Sequence, residues 1–400
     1  VRTKDYVIVL TNQFLALQHA PTYITLEICD TLAKQLRKNV FLINAASMAR
    51  EKDEQVTVFD PHAATCLDYY SADGTNKMIK LTLDNISQWT TDRNGVFVEH
   101  KEMQYPFYQI KDIFNQEEMQ NLLQVVINQP PELIVAIGDS NPCAELFAHH
   151  VPTVVFPCGY SLPQCRNAYA AVTCKIDKHI VAKAKRFGIN QEQLIQSRMP
   201  YPIRKKKTDL SRKDLGIPEH AFTVALVGQR LTVEVDNECV KAMEEFKTAL
   251  PDIRFVFIGN YKQKEWLKKQ SPEVFESSTF LGHQTDVLAL WESLDCYLNP
   301  RRKGGGVSSN EALAFGKPVI TFPYGDVFHA VGDDFTFETI EDMKNYVLRL
   351  ATEPNFSEQE SKKALKQAEF IMSIEPMLSK LYEDVAKLEE QNTASQNRSA

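Results

Sequence analysis

No stretch of the 400-residue chain approaches the eighteen or so consecutive apolar residues that a membrane helix requires. The chain also lacks an excess of positive charge: 45 Lys and Arg stand against 52 Asp and Glu, a formal net charge of −7. That balance argues against a nucleic-acid partner for the chain as a whole. Its eight cysteines follow neither a disulfide-type nor a zinc-type pattern. The densest group is Cys143, His149, His150, Cys158, Cys165 and Cys174, and it contains no Cys-x-x-Cys pair. No metal site is expected there, and a reducing cytoplasm is the simpler account of the free thiols. The opening residues, VRTKDYVIVL, read as a buried strand and not as a secretory leader, although no initiator Met precedes them.

What is present is the balance of a globular protein, 44% hydrophobic and 24% charged, at a length suited to two domains. Short runs rich in Val and Ile alternate with helical periodicity, which implies parallel sheets with crossover helices. In the first half the expected strands are 6–10, 39–45, 132–138 and 153–157. After a proline- and lysine-rich stretch, MPYPIRKKK, the alternation starts afresh with strands at 222–228, 254–259, 295–300 and 318–322. Two α/β domains facing each other across a cleft are expected, at 1–203 and 204–375. Residues 376–400 are expected to form a helix packing back on the first domain, followed by a disordered polar tail, NTASQNRSA. The stretch Arg198–Lys213 carries seven basic residues against one acid. A solvated linker is the plainer reading of it, and peripheral contact with anionic lipid at the inner membrane face the sharper one.

The segment LNPRRKGGGVSSNEALAFGKPVITF, Leu298 to Phe322, places Gly304, Gly305 and Gly306 directly before a helix. A helix N-terminus offers unpaired N–H groups and positive potential, so it binds phosphate well. Glycines allow close approach, and Val307 and Ser308 would follow with the first helical N–H groups. The loop is neither a Walker loop, for lack of GK[ST], nor a GxGxxG fingerprint. Taken alone, it could equally be a tight turn.

From about Gly216 to Asp334 the chain resembles the C-terminal domain of the retaining nucleotide-sugar glycosyltransferases of the GT-B fold, the "glycosyltransferases group 1" class. The likeness rests on LVGQRL (226–231), FVFIGN (255–260) and FLGHQTDVLALWESLDCYLNPRRKGGGVSSNEALAFGKPVI (280–320), in the family's order. The first two hundred residues match in architecture only. The resemblance implies a nucleoside diphosphate sugar, a UDP-sugar as first choice, as substrate with no separate cofactor and no metal. It implies the diphosphate on the helix N-terminus, with Arg230 as phosphate ligand. Glu311 would accept hydrogen bonds from the ribose, and the base would lie near Asn260, His283 and Gln284. The acceptor would be a glycan, a lipid-linked group or a protein, in surface polysaccharide or glycoconjugate synthesis. An epimerase of the same fold and a non-catalytic partner subunit are the alternatives. Oligomeric state is not legible in the sequence.

Two positions depart from the family. Lys303 stands where relatives carry the first glutamate of the E-x7-E pair, and Val235 stands where they carry a lysine. Arg301, Arg302 and Lys303 would then supply the missing charge, with Lys303 serving either the phosphate or an acidic donor sugar. On the first domain, strand-end loops propose Asn12, Gln13, Ser140 and Tyr160 as acceptor-side residues. Asp139 is the candidate base, with an N-cap over PCAELF as its plainer role. His100 is a weaker candidate base, with a structural loop histidine as its plainer role.

Overall fold

The computed structural model describes residues 3–12, 14, 20–45, 65–70, 76–81, 96–110, 115–158, 162–203, 208, 210–284 and 286–399. For residues 3–4, 65–70, 76–81, 96–97, 99 and 392–399 it describes the backbone alone. The chain divides into two units, Val1–Pro200 with Ser373–Ala400, and Tyr201–Met372. Both boundaries fall three residues before those expected from sequence. Tyr201 belongs with the second unit because its carbonyl accepts from Asn310 Nδ2 there. The C-terminal helical pattern breaks at Ser373, not at Pro376. Pro376 sits in the first turn of the last helix, where a missing N–H costs nothing.

The first unit opens with strand β1 (Thr3–Thr11), helix α1 (Ala20–Lys34) and strand β2 (Asn39–Asn44). Strands β3 (Thr65–Tyr70) and β4 (Asn76–Leu81) form a separate antiparallel pair. β5 (Val96–His100) and β6 (Met103–Gln109) form a hairpin, followed by α2 (Gln116–Asn128), β7 (Pro131–Ile137) and α3 (Pro142–Phe147). β8 (Thr153–Phe156), β9 (Tyr169–Val172), α4 (Lys178–Arg186) and β10 (Leu194–Gln196) complete the sheet. Its order is β10-β9-β8-β7-β1-β2-β6-β5, parallel except for the β5–β6 edge. Val7, Val9 and Leu10 of β1 are fully buried, as a strand covered on both faces requires.

The hairpin turn is Lys101–Glu102, with φ of 44° and 68°. A charge network ties it to α1: His100 Nε2 lies 3.0 Å from Glu27 Oε1, and Lys101 Nζ reaches the same oxygen. Burial alone would raise the Glu27 carboxyl, but the hydrogen bonds from His100 and Lys101 outweigh it and hold the group below its usual range. Nearby Asp30 accepts from the Tyr105 hydroxyl and from Lys34 Nζ at 3.4 Å. His100 is thus the structural histidine that the sequence suggests.

The second unit is one parallel sheet, ordered β13-β12-β11-β14-β15. β11 (Thr223–Gly228) leads into α5 (Leu231–Glu234) and α6 (Asn237–Ala249), and β12 (Arg254–Gly259) into α7 (Lys264–Gln270) and α8 (Pro272–Glu276). β13 (Ser278–Gly282) is followed by a 3-10 helix, Val287–Ser293, and β14 (Cys296–Leu298) by α9 (Gly306–Ala314). β15 (Val319–Ile320), α10 (Gly325–Val331), α11 (Ile340–Thr352) and α12 (Pro354–Met372) close the unit. The last helix, α13 (Ile374–Ser399), returns to the first unit and packs on α1. There the Tyr169 hydroxyl donates to Glu389 Oε1 at 2.7 Å. The polar segment expected to be disordered continues this helix through Ser399, and it contains neither Gly nor Pro to end one.

All five strands of the second sheet run the same way, so their C-terminal ends form one edge. Two glycines let that edge close. Gly259 has φ +120°, and a Cβ there would collide with the Gly228 carbonyl oxygen. Gly259→Ala should therefore destabilise the unit by about 1–3 kcal/mol, measured by equilibrium denaturation. An unchanged midpoint would show that the two strand ends do not need this approach.

Candidate functional site

The C-terminal edge of the second sheet collects most of the residues singled out from sequence. Gln229 and Arg230 follow β11, Asn260 follows β12, His283 follows β13, and Asn299 to Gly305 connect β14 to α9. A cavity of about 410 Å³ lies at the ends of β11 to β13, lined by Gln229, Asn260, Tyr261, Lys264, Phe280 and His283 among others. The Tyr261 and Phe280 rings are stacked, 5.9 Å apart and 4° from parallel. Lys264 Nζ sits 4.7 Å from the centre of the Phe280 ring. Gln229 Nε2 and His283 Nδ1 are 2.9 Å apart at the rim. Gln284, by contrast, turns its Nε2 back to the Leu281 carbonyl at 2.8 Å and does not line the cavity.

On the other side of Gln229 lies the glycine loop. Gly305 caps α9 with φ +115°, and a Cβ on it would meet the Arg302 guanidinium. Only glycine accommodates both conditions. Gly306 begins the helix beneath the Tyr201 ring, and Val307, Ser308 and Glu311 follow in its first two turns, all three half-buried. The first N–H groups of α9 have no partner within the helix, and that of Gly306 faces Asp326 Oδ2 at 3.4 Å.

Arg302 departs from expectation. The sequence places it among the phosphate ligands, but it is buried beneath the loop and saturated with internal partners. Its Nε donates to Asn299 Oδ1 at 2.8 Å, Nη1 to Glu234 Oε2 at 2.7 Å, and Nη2 to the Val227 carbonyl at 2.8 Å. Nη2 also reaches the Tyr297 hydroxyl. Buried guanidinium groups persist only when paired in this way. Arg301 diverges as well: its Nε meets Glu238 Oε2 at 3.2 Å, and its guanidinium packs over the Phe322 ring at 5.0 Å. The basic trio therefore does not act as one cluster. Arg301 and Lys303 are both exposed at the loop.

Arg230 has a largely exposed side chain beside Gly304, held by Glu234, with Nε to Oε1 at 3.1 Å. Glu234 thus joins the exposed arginine to the buried one. Sequence reasoning missed it, although its place four residues after Arg230 is the spacing of a helical ion pair. Val235, where the family carries lysine, is buried at the end of α5.

Asp326 was also missed. It opens α10, and its Oδ2 lies 3.4 Å from the Gly306 N–H and 3.5 Å from the Tyr201 hydroxyl. Burial pushes its carboxyl up to about 6, even though the Gly306 N–H and Arg302 oppose the shift.

In the first unit, Asn12 and Ser140 meet at the ends of β1 and β7, with Asn12 Nδ2 donating to the Ser140 carbonyl at 2.5 Å. Asp139 is not a helix cap. Asn141 caps α3 through Oδ1 to the Ala144 N–H, while Asp139 Oδ1 accepts from the Cys158 N–H at 2.8 Å. Burial raises the Asp139 carboxyl, with that hydrogen bond opposing. Gln13 and Tyr160 lie outside the described residues. Cys143, Cys158 and Cys165 are free thiols.

Residues 207–367 match the family described as glycosyl transferases group 1. The chain carries a glycosyl transferases group 1 domain. The match coincides with the second unit, where the loop, the cavity and Arg230 lie. Solved structures extend the likeness to the whole fold. An O-GlcNAc transferase of Thermobaculum terrenum aligns with a TM-score of 0.58 at 11% identity, over 99% of this chain and 69% of its own. HepE of Anabaena, solved in complex with UDP, aligns at 0.53 and 12%, over 98% and 99%. The pneumococcal O-GlcNAc transferase GtfA, in complex with UDP and GlcNAc, aligns at 0.53 and 12%, over 96% and 99%. At such identities the likeness is one of fold, and the fold is GT-B. No curated protein matches the chain.

The transferase domain's loop should fail structurally when Arg302 is lost. Arg302→Ala leaves Glu234 Oε2 without its buried partner, takes a donor from the Val227 carbonyl and from Asn299 Oδ1, and should cost about 3–5 kcal/mol. Arg301→Ala, which removes a half-exposed pair, should cost about 1 kcal/mol or less. Thermal denaturation of both variants checks this, and equal losses would contradict the supporting role of Arg302.

Proposed function

We propose that the chain transfers a glycosyl group from a nucleoside diphosphate sugar, with UDP as the leaving group, to a glycan, lipid-linked or protein acceptor. The observation that carries the reading is the cavity beside the α9 N-terminus, on one strand-end edge of a glycosyl transferases group 1 domain. A flat base fits a cavity with aromatic walls, and the Gln229 and His283 side chains at its rim offer hydrogen bonds to base edges. From there the diphosphate reaches the α9 N-terminus, where N–H groups and the helix dipole favour negative charge. Arg230 supplies a guanidinium fork beside Gly304. The UDP in the HepE and GtfA structures favours uridine as the base.

The chemistry follows from charge. As the glycosidic bond to the phosphate breaks, negative charge grows on the departing diphosphate, and fixed N–H dipoles with Arg230 and Lys303 stabilise it. Glu311, in the second turn of α9, is assigned to the ribose hydroxyls, since a carboxylate can accept from both. Asp139 is assigned to the acceptor side, its carboxyl raised by burial toward the range of a general base. No step in this scheme is routed through a metal.

A thermal-shift series with UDP, GDP, ADP and CDP tests the reading. UDP should stabilise the protein, by about 2.7 kcal/mol at a hundredfold excess over Kd. Glu311→Ala should keep its fold and lose about 1.5–3 kcal/mol of UDP binding. Stabilisation by none of the four, in a folded protein, would contradict the donor site.

A further inference from the structure

Within the proposed donor site one group works against its ligand. Asp326 Oδ2 lies 3.4 Å from the Gly306 N–H, the first N–H of α9, where a phosphate oxygen of the donor is assigned. Its other oxygen, Oδ1, is buried and has no hydrogen-bond partner among the described residues. The carboxyl is anchored from behind, because its backbone N–H donates to the Lys303 carbonyl at 2.9 Å. Its main chain therefore stays with the loop, and the carboxylate leaves the α9 N-terminus only by turning about its own side-chain bonds.

We propose that Asp326 shares the α9 N-terminus with the bound diphosphate and takes up a proton when the diphosphate binds. The inference rests on the donor reading above. An anion at the α9 N–H groups faces a half-buried carboxylate, and repulsion there is relieved by protonation. The protonated carboxyl then donates a hydrogen bond, to a phosphate oxygen or to a hydroxyl of the donor, and the unpartnered oxygen gains a use.

The groups around Asp326 bear on its titration. From the loop come the Arg302 guanidinium and Lys303, and from β14 the Tyr297 hydroxyl, itself bonded to Arg302. The Tyr201 hydroxyl faces Oδ2, α9 contributes Gly306, with Asn310 and Glu311 beyond it, and α10 carries His329. Burial lowers the His329 pKa, so that ring is neutral near pH 7 and does not offset the carboxylate. The 3-10 turn packed on α10 adds the exposed Asp333 and Asp334. Asp326 begins from about 6, already raised by burial.

The sign follows from linkage. A bound diphosphate raises the Asp326 pKa further, so binding takes up a proton between the free and the bound values and weakens as pH rises through that window. Below pH 6 this group's contribution is flat. UDP affinity measured by calorimetry from pH 5.5 to 8.5, in wild type and Asp326→Asn, tests it. The titration of UDP itself is common to both proteins and cancels. Wild type should lose about tenfold more affinity across the range than the Asn variant, a coupling of one pK unit. Titrated at pH 7 in two buffers of different ionisation enthalpy, wild type should take up more protons on binding than Asp326→Asn does. Equal pH dependence in both proteins, or equal proton uptake, overturns the role of Asp326. No UDP binding by wild type at any pH overturns the donor reading instead.

Discussion

A single buried guanidinium organises the edge on which the proposed donor site lies. Arg302 holds the end of β11 through the Val227 carbonyl, the end of β14 through Asn299 and Tyr297, and α5 through Glu234. Removing such a charge from water costs several kcal/mol, and only complete pairing offsets it. The arrangement demands glycine above it, since a side chain on Gly305 or Gly228 would overlap the guanidinium. The glycine loop is therefore shaped from below by an arginine.

The same pairing divides the labour among the basic residues. Glu234 presents one oxygen to buried Arg302 and the other to exposed Arg230. The first arginine sets the backbone, and the second is left at the surface beside Gly304 in a defined orientation. Fixing a guanidinium before the ligand arrives lowers the ordering cost of binding. Asp326 has the opposite sign in the same place, so the site is not a uniform basic patch. In the proposed donor reading, its affinity for an anion would be a balance among the helix dipole, Arg230 and a carboxyl that burial pushes up to about 6.

Much of this was legible in the sequence, and unevenly so. Parallel strands buried on both faces, such as VIVL in β1 and VALV in β11, announce themselves as unbroken apolar runs. The β5–β6 hairpin does not. Its turn is Lys101–Glu102, residues that do not advertise a positive φ, and its hold on α1 comes from Glu27 and Asp30, seventy or so positions away. β13 is not among the strands expected from sequence, because Ser278–Gly282 is short and shows no apolar alternation. In the site, the glycines stand out by their place before a helix, and Arg230 by the resemblance of LVGQRL to the family's motif. The burial of Arg302 does not, since charge in sequence reads as surface. Nor does Asp326, whose place depends on α10 folding back over the loop.

The central claim is that the α9 N-terminus receives a diphosphate. A crystal structure of the protein soaked with UDP tests it directly. The account predicts phosphate oxygens within hydrogen-bond distance of the Gly306 to Ser308 N–H groups, the Arg230 guanidinium turned toward them, and Arg302 unmoved on Glu234 and Val227. UDP bound away from α9, or Arg302 released from Glu234 to contact the phosphate, would contradict it.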